Sequence, residues 1–113
     1  MALPRTSHGP VDVLSFAGSL HAATTASLRQ ELKDLIQSGR SRLVMNMAGV
    51  RFVDSSGLSV LVVALKAARA AGGDVVLLKL TPEVRSIVEL TRLHRVFEIF
   101  DDADAAIAKL GKS

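Results

Sequence analysis

Apolar positions along this chain alternate between two spacings, and each change of spacing marks a new element. After a polar start ending at Gly9-Pro10, Val11, Val13 and Leu14 to Phe16 form a strand-like stretch closed by Gly18. From Thr25 to Ser38 the spacing becomes helical. Leu28, Leu32, Leu35 and Ile36 fall at i, i+4, i+7 and i+8 on one stripe, with Arg29, Lys33 and Asp34 outside it. Gly39 suits the C′ position that ends such a helix. Arg42 to Met47 is a short apolar run of the kind found in buried strands, and a loop is expected from Ala48 to Asp54. Ser55 to Ala71 contains a conflict, because Ser59 to Val63 has strand propensity. The continuation from Ala64 to Ala71 consists of strong helix formers, two serines stand in front, and Gly72-Gly73 stops the run, so a buried helix is predicted.

Asp74 to Leu80 again reads as a strand. Thr81-Pro82-Glu83 then supplies an N-cap, an N1 proline and a first-turn acid for a helix carrying Val84, Ile87 and Val88. Val96 to Phe100 reads as a last strand, and Asp101 or Asp102 as the cap of a final helix whose Ala106, Ile107 and Leu110 face inward. This alternation predicts an α/β domain, a four- or five-stranded mixed sheet with about four helices. The expected core includes Leu28, Leu32, Leu35, Val44, Phe52, Leu61, Leu65, Val76, Ile87 and Phe97.

Size and composition narrow the picture. The 113 residues fit one domain, 1–113, and the 49% apolar content is enough to form its core. No apolar run reaches the ~20 residues of a membrane-spanning helix, and the first ten residues lack the pattern of a signal peptide, so a cytoplasmic location without membrane insertion is expected. The absence of cysteine removes disulfides and thiolate chemistry. A net charge of +3 raises nucleic-acid binding as a possibility. Arg29, Arg51, Lys66, Arg85 and Lys109 are scattered singly, however, and Phe16, Phe52, Phe97 and Phe100 form no stacking platform, so no nucleic-acid partner is expected.

The candidate chemistry is sparse. Ser55 or Ser56 with His8, His21 or His94 fits nucleophilic catalysis poorly, because Val53-Asp54-Ser55-Ser56-Gly57 lacks the glycine two residues before the serine that a nucleophile elbow requires. The histidines are far apart and lack metal-ligand spacing. Asp101, Asp102 and Asp104 lack the glycine and closing Glu of a calcium loop and read as helix capping. Gly72-Gly73 follows a helix and precedes a strand, opposite to a phosphate loop. No catalytic residue, metal site or cofactor is predicted. There remains the serine pair at the start of the second helix, expected to act as a cap worth ~1 kcal/mol. A phosphate there would add a charge of about −1.5 to −2 where a helix N-terminus tolerates it and an acidic partner does not.

The run from Arg42 to Leu58, R-L-V-M-N-M-A-G-V-R-F-V-D-S-S-G-L, resembles the signature region of STAS domains in anti-sigma factor antagonists. Gly72 to Leu77, Val84 to Leu93 and Val96 to Phe100 follow in that family's order, so the resemblance covers about residues 11–110. It implies that Ser55, with Ser56 as the alternative, is phosphorylated by an ATP-dependent anti-sigma factor serine kinase. The unmodified form binds that kinase, and a metal-dependent serine phosphatase restores it. ATP would be held by the kinase, and this chain would be a monomeric binding switch rather than an enzyme. The expected partner surface is Asp54, Ser55, Ser56, Gly57, Leu58, Val60 and Val63, with Val60 and Val63 as its exposed apolar part. Two positions depart from the family pattern, His21 and Asn46, where carboxylates near the site are common. The alternatives are a STAS accessory subunit of a larger assembly, such as a transporter ATPase, and a nucleotide-binding or hydrolytic domain.

Overall fold

The computed structural model describes residues 3–112. In chain order the elements are β1 (Arg5–His8), β2 (Val11–Leu20), α1 (Ala22–Gln37), β3 (Arg42–Val53), α2 (Ser55–Ala70), β4 (Asp74–Leu78), α3 (Pro82–Leu90), β5 (Ile99–Phe100) and α4 (Ala103–Gly111), with a 3-10 turn at Leu93–Arg95 before β5. The strands form one sheet in the order β1-β2-β3-β4-β5. β1 runs antiparallel to β2 and the remaining pairs are parallel, the mixed α/β sheet that the alternating pattern predicts.

Strand alternation separates two cores. Leu14 and Phe16 of β2, Leu43, Met45 and Met47 of β3, and Val75 and Leu77 of β4 pack with α1, α2 and α3 on one face. Val11, Val13, Val44, Val76 and Leu78 point the other way and meet Ala106 and Leu110 of α4. Of the ten expected core residues, Leu28, Leu32, Val44, Leu61, Leu65, Val76 and Phe97 are buried, and Leu35 and Ile87 are half-buried. Phe52 is the exception, at 49% exposed.

Phe52 and the predicted loop from Ala48 to Asp54 have one physical explanation. β3 continues to Val53, and its pairing with β2 shifts register between Ser15 and Ala17 and again between Gly18 and Ser19. Each shift places an extra residue in β3, as a β-bulge does. Buried positions in this stretch are therefore Met47, Val50 and Val53, three apart, while Ala48, Gly49, Arg51 and Phe52 are exposed.

Other differences lie at element ends. β1 is fully exposed and polar, so no apolar pattern reveals it. β2 runs on to Leu20, and β4 stops at Leu78. α1 starts at Ala22 rather than Thr25 because His21 caps it: the Ala23 N–H donates to His21 Nδ1 at 3.2 Å, and the His21 N–H donates to Thr24 Oγ1 at 3.1 Å. The last strand shrinks to Ile99–Phe100, since the Val96 and Phe97 N–H groups are drawn back to the Leu93 carbonyl of the 3-10 turn, at 2.9 and 2.8 Å.

One ion pair, buried at its carboxylate end, ties the edge hairpin to the α1–β3 connection. Asp12 is fully buried, and Arg40 grips it with Nε to Oδ2 at 2.7 Å and a terminal guanidinium nitrogen to Oδ1 at 2.8 Å. The Ser7 hydroxyl donates to Oδ1 at 2.6 Å, and Arg40 also donates to the Gly9 carbonyl at 2.9 Å. Burial pushes the Asp12 carboxyl up, but the hydrogen bonds from Arg40 and Ser7 and the charges of Arg40 and Arg5 outweigh it, holding the group below the usual carboxylate value.

Two measurements check this packing. Leu61→Ala removes a fully buried side chain from the main core and is expected to cost about 2 to 5 kcal/mol in urea unfolding. Because the Asp12 carboxyl is depressed in the folded state, its stabilisation is complete above the unfolded value of about 3.9 and is lost as pH falls through the lower folded value. Asp12→Asn is therefore less stable than the parent chain at neutral pH, and the gap narrows as the pH of the unfolding titration drops below about 4. A gap independent of pH would contradict the assignment.

Candidate functional site

β2 and β3 run parallel and end side by side at Leu20 and Val53. The Asp54 N–H donates to the Leu20 carbonyl at 3.0 Å, which locks the two strand ends together just where the chain turns into α1 and α2. The N-termini of both helices thus emerge at the carboxyl end of the parallel strands, the usual location of sites in open α/β sheets.

The cap of α2 is Asp54, not a serine. Its backbone is extended, and its Oδ1 accepts from the Ser56 N–H at 2.9 Å and the Gly57 N–H at 3.1 Å. Its carbonyl accepts the first helical bond, from the Leu58 N–H at 3.0 Å. The expected serine cap is corrected accordingly. Asp54 has an ionised oxygen where a serine has a neutral one, and charge-assisted bonds to N–H groups are the stronger ones. Ser55 becomes the first helical residue, with an exposed side chain, and neither the Ser55 nor the Ser56 hydroxyl takes part in the cap.

The next residues divide by burial. Gly57 is buried against the end of β2, where an added Cβ would lie 2.6 Å from the Leu20 carbonyl oxygen. Leu58 is half-buried and packs against the main core. Val63 is 42% exposed, as expected, but Val60 is 1% exposed, so it leaves the predicted surface. The reason is α1, whose Leu28 and Leu32 share one core with Val60.

α1 and α2 border two depressions. The first, about 550 Å3, has Thr25, Ala26 and Arg29 on one wall and Ser55, Ser56 and Ser59 on the other. The second, about 670 Å3, continues along the same helices and is mostly apolar, with Val63 and Ala67 facing Arg29 and Lys33. Arg29 lines both. Thr25, Arg29 and Ser59 are absent from the expected site. Ser59 lies one helical turn beyond Ser55, a spacing readable from the sequence, but α1 joins the site only through tertiary packing.

The remaining candidates stay apart. His21 caps α1, His8 Nε2 lies 3.3 Å from Thr6 Oγ1 on the edge strand, and His94 is exposed in the 3-10 turn. Asp102 caps α4 by accepting from the Ala105 N–H at 3.1 Å, and Asp101 pairs with Arg85 at 3.5 Å. Asn46 lies inside β3, in register with Ser15 and Leu78, and accepts from the Ala48 N–H at 3.1 Å. It is thus a feature of the bulged strand and not of the α2 start. Among the described residues no group of three His, Asp or Glu is placed to hold a metal, and no helix is long and apolar enough to cross a membrane.

The chain and its fold have counterparts in known proteins. Residues 4–106 match the STAS domain family. The chain belongs to that family. The anti-sigma F factor antagonist of Paenibacillus polymyxa is 25% identical over 104 residues, which cover 91% of this chain and 89% of that protein. BtrV of Bordetella bronchiseptica, named provisionally as an anti-sigma factor antagonist, is 29% identical over 80% of this chain and 78% of its own length. Among solved structures, the anti-sigma factor antagonist SpoIIAA in its unphosphorylated form superposes with a TM-score of 0.82 at 19% identity, covering 99% of both chains. SpoIIAA of Bacillus in the phosphorylated form superposes at 0.74 and 20% identity, over 96% of this STAS domain and 98% of that chain. At these identities the structural likeness speaks for the fold.

The cap assignment separates two neighbouring side chains by measurement. Asp54→Ala is expected to lose about 1 kcal/mol of stability, whereas Ser55→Ala stays within about 0.5 kcal/mol of the parent in the same urea titration. The reverse order would restore the cap to the serine.

Proposed function

We propose that this STAS domain is an anti-sigma factor antagonist acting as a phosphorylation-controlled switch, with Ser55 as the phosphoryl acceptor. The observation that carries the reading is the division of roles at the start of α2. Asp54 holds the helix, and the exposed Ser55 hydroxyl beside it is free of structural duty. A group attached to Ser55 leaves the cap bonds to the Ser56 and Gly57 N–H groups in place.

Relatives named as anti-sigma factor antagonists, firmly at 25% identity and provisionally at 29%, support the class, and that family consists generally of non-enzymatic regulators. In this reading the chemistry belongs to the partners. An anti-sigma factor serine kinase holds ATP, the Ser55 hydroxyl takes its γ-phosphoryl group, ADP leaves, and the hydroxyl proton passes to a base of the kinase. A metal-dependent serine phosphatase reverses the modification by hydrolysis. Unmodified, the domain sequesters the kinase through Asp54, Ser55, Ser56, Leu58 and the exposed Val63, with Gly57 beneath them as a packing residue.

Phosphate turns binding off through electrostatics. It brings a charge of about −1.5 to −2 to a position already next to the Asp54 carboxylate. On the free surface water screens this repulsion, and the helix macrodipole offsets part of it. At a dehydrated interface neither relief is as effective, so binding loses more than folding does.

Mass spectrometry after incubation with the cognate kinase and ATP places the phosphate on Ser55. Ser55→Ala abolishes labelling and keeps kinase binding, while Ser55→Asp weakens binding but only partly, having one charge and fewer acceptor oxygens than phosphoserine. Phosphate on Ser56 alone would correct the residue and keep the mechanism. Tight partner binding with no phosphate on either serine would overturn the switch in favour of a constitutive accessory subunit.

A further inference from the structure

We infer that Arg29 of α1 is the receiver for the phosphoryl group, a positioning residue that pairs with phosphoserine 55 and holds it across the depression between α1 and α2. The inference rests on the proposal that Ser55 is modified, and it adds what the modified side chain binds.

Three observations converge on Arg29. Of the residues lining the depression that contains Ser55, Ser56 and Ser59, it is the sole one with a charge. Among the described residues it enters no ion pair, whereas Arg40, Arg69 and Arg85 each hold a carboxylate. Its direction also fits. α1 and α2 follow parallel strands and run side by side the same way, so Thr25 and Ala26 stand near the α2 start and Arg29 one turn further along. Long helical side chains lean back toward their own N-terminus, which for α1 is the end nearest Ser55 and Ser56.

The helix N-terminus does not offer an equivalent site. The Ser56 and Gly57 N–H groups already donate to Asp54, so a phosphate on Ser55 meets a carboxylate where an uncapped helix would present free donors. A guanidinium opposite supplies the missing positive charge and can bind two phosphate oxygens at once. The charged group lining this depression is Arg29, and the titratable groups at the two helix starts are Asp54, which caps α2, and His21, which caps α1 and follows the Leu20 whose carbonyl accepts from the Asp54 N–H.

The pairing carries a consequence for the apolar depression further along the helices. Its cations are Arg29 and Lys33, with no carboxylate in its lining. Drawing Arg29 onto the phosphate removes one of the two, so modification at the α2 start also changes the charge of the neighbouring groove.

The test requires no kinase. Phosphoserine is incorporated at position 55 during synthesis of the full chain, and its phosphorus-31 resonance is titrated with pH in the parent, in Arg29→Gln and in Arg29→Lys. A paired guanidinium stabilises the dianion, so the second phosphate pKa of the parent lies at least about half a unit below that of Arg29→Gln, with Arg29→Lys in between. Asp54 and His21 are common to all three proteins, so the difference reports residue 29 alone. Arg29 is exposed, and amide spectra establish that each variant is folded. Equal titrations in the parent and Arg29→Gln would overturn the role of Arg29 while leaving Ser55 phosphorylation standing. A kinase that ignores Ser55 would overturn the switch while leaving this titration unaffected.

Discussion

The site depends on a helix starting in direct contact with a strand backbone. α2 begins immediately after β3 ends, and its first turn rests on the last residue of β2. A Cβ at position 57 would meet the Leu20 carbonyl oxygen at 2.6 Å and the Leu20 Cβ and Val53 Cγ1 each at 2.8 Å. The nearest of these is backbone, which cannot swing aside, so glycine is what permits the approach. Because Gly57 is pressed inward, Ser55 two residues earlier is turned outward at the first position of the helix. The Asp54 N–H bond to Leu20 and the Asp54 carboxylate on Ser56 and Gly57 fasten the same corner from the other side. The Asp-Ser-Ser-Gly segment therefore divides its work residue by residue, into a cap, a free hydroxyl, a shoulder of the depression and a contact point.

Charge is sorted around this corner in a way that composition does not reveal. The two faces of α1 differ: Glu31 and Asp34 lie with Arg5 on the side toward the edge strand, and Arg29 and Lys33 lie on the side toward α2. The net +3 charge is thus less informative than the placement of two cations beside an apolar groove and three serine hydroxyls. Away from the site, the Asp12–Arg40 pair fastens the polar edge hairpin, which has no apolar residues of its own in β1 to hold it. Removing Arg40 would leave the buried Asp12 carboxylate without its counter-ion, the costly way to break such a pair.

Much of this arrangement is legible in the sequence, and the exceptions have specific causes. Helix α2 is legible despite Ser59 to Val63, because the alanine-rich continuation extends the run past any strand length and glycines stop it. α3 is legible from Thr81-Pro82-Glu83, which acts as expected, with the Thr81 hydroxyl accepting from the Val84 N–H at 3.4 Å. The second half of β3 is not, since two bulges convert the strand period of two into a spacing of three at Met47, Val50 and Val53. The same bulges leave Phe52 exposed, where hydrophobicity alone assigns it to the core. Val60 errs in the opposite direction, because exposure of a helix position depends on which neighbouring helix covers it. Ser55 stands at the helix start as expected but one position past the cap, a choice between adjacent polar residues that only backbone geometry resolves.

In the proposed switch, a phosphate on Ser55 acts at the surface and leaves the Asp54 cap and the fold beneath it intact. The direct measurement compares the full chain carrying phosphoserine at position 55 with the unmodified chain, by backbone Cα chemical shifts and by urea unfolding. Helical shifts beginning at Ser55 in both, and stabilities within about 0.5 kcal/mol, are the predicted result. A helix that starts only after Leu58 in the phosphorylated chain, with a matching loss of stability, would show that phosphate displaces Asp54 from the cap and would contradict a switch that works at the surface alone.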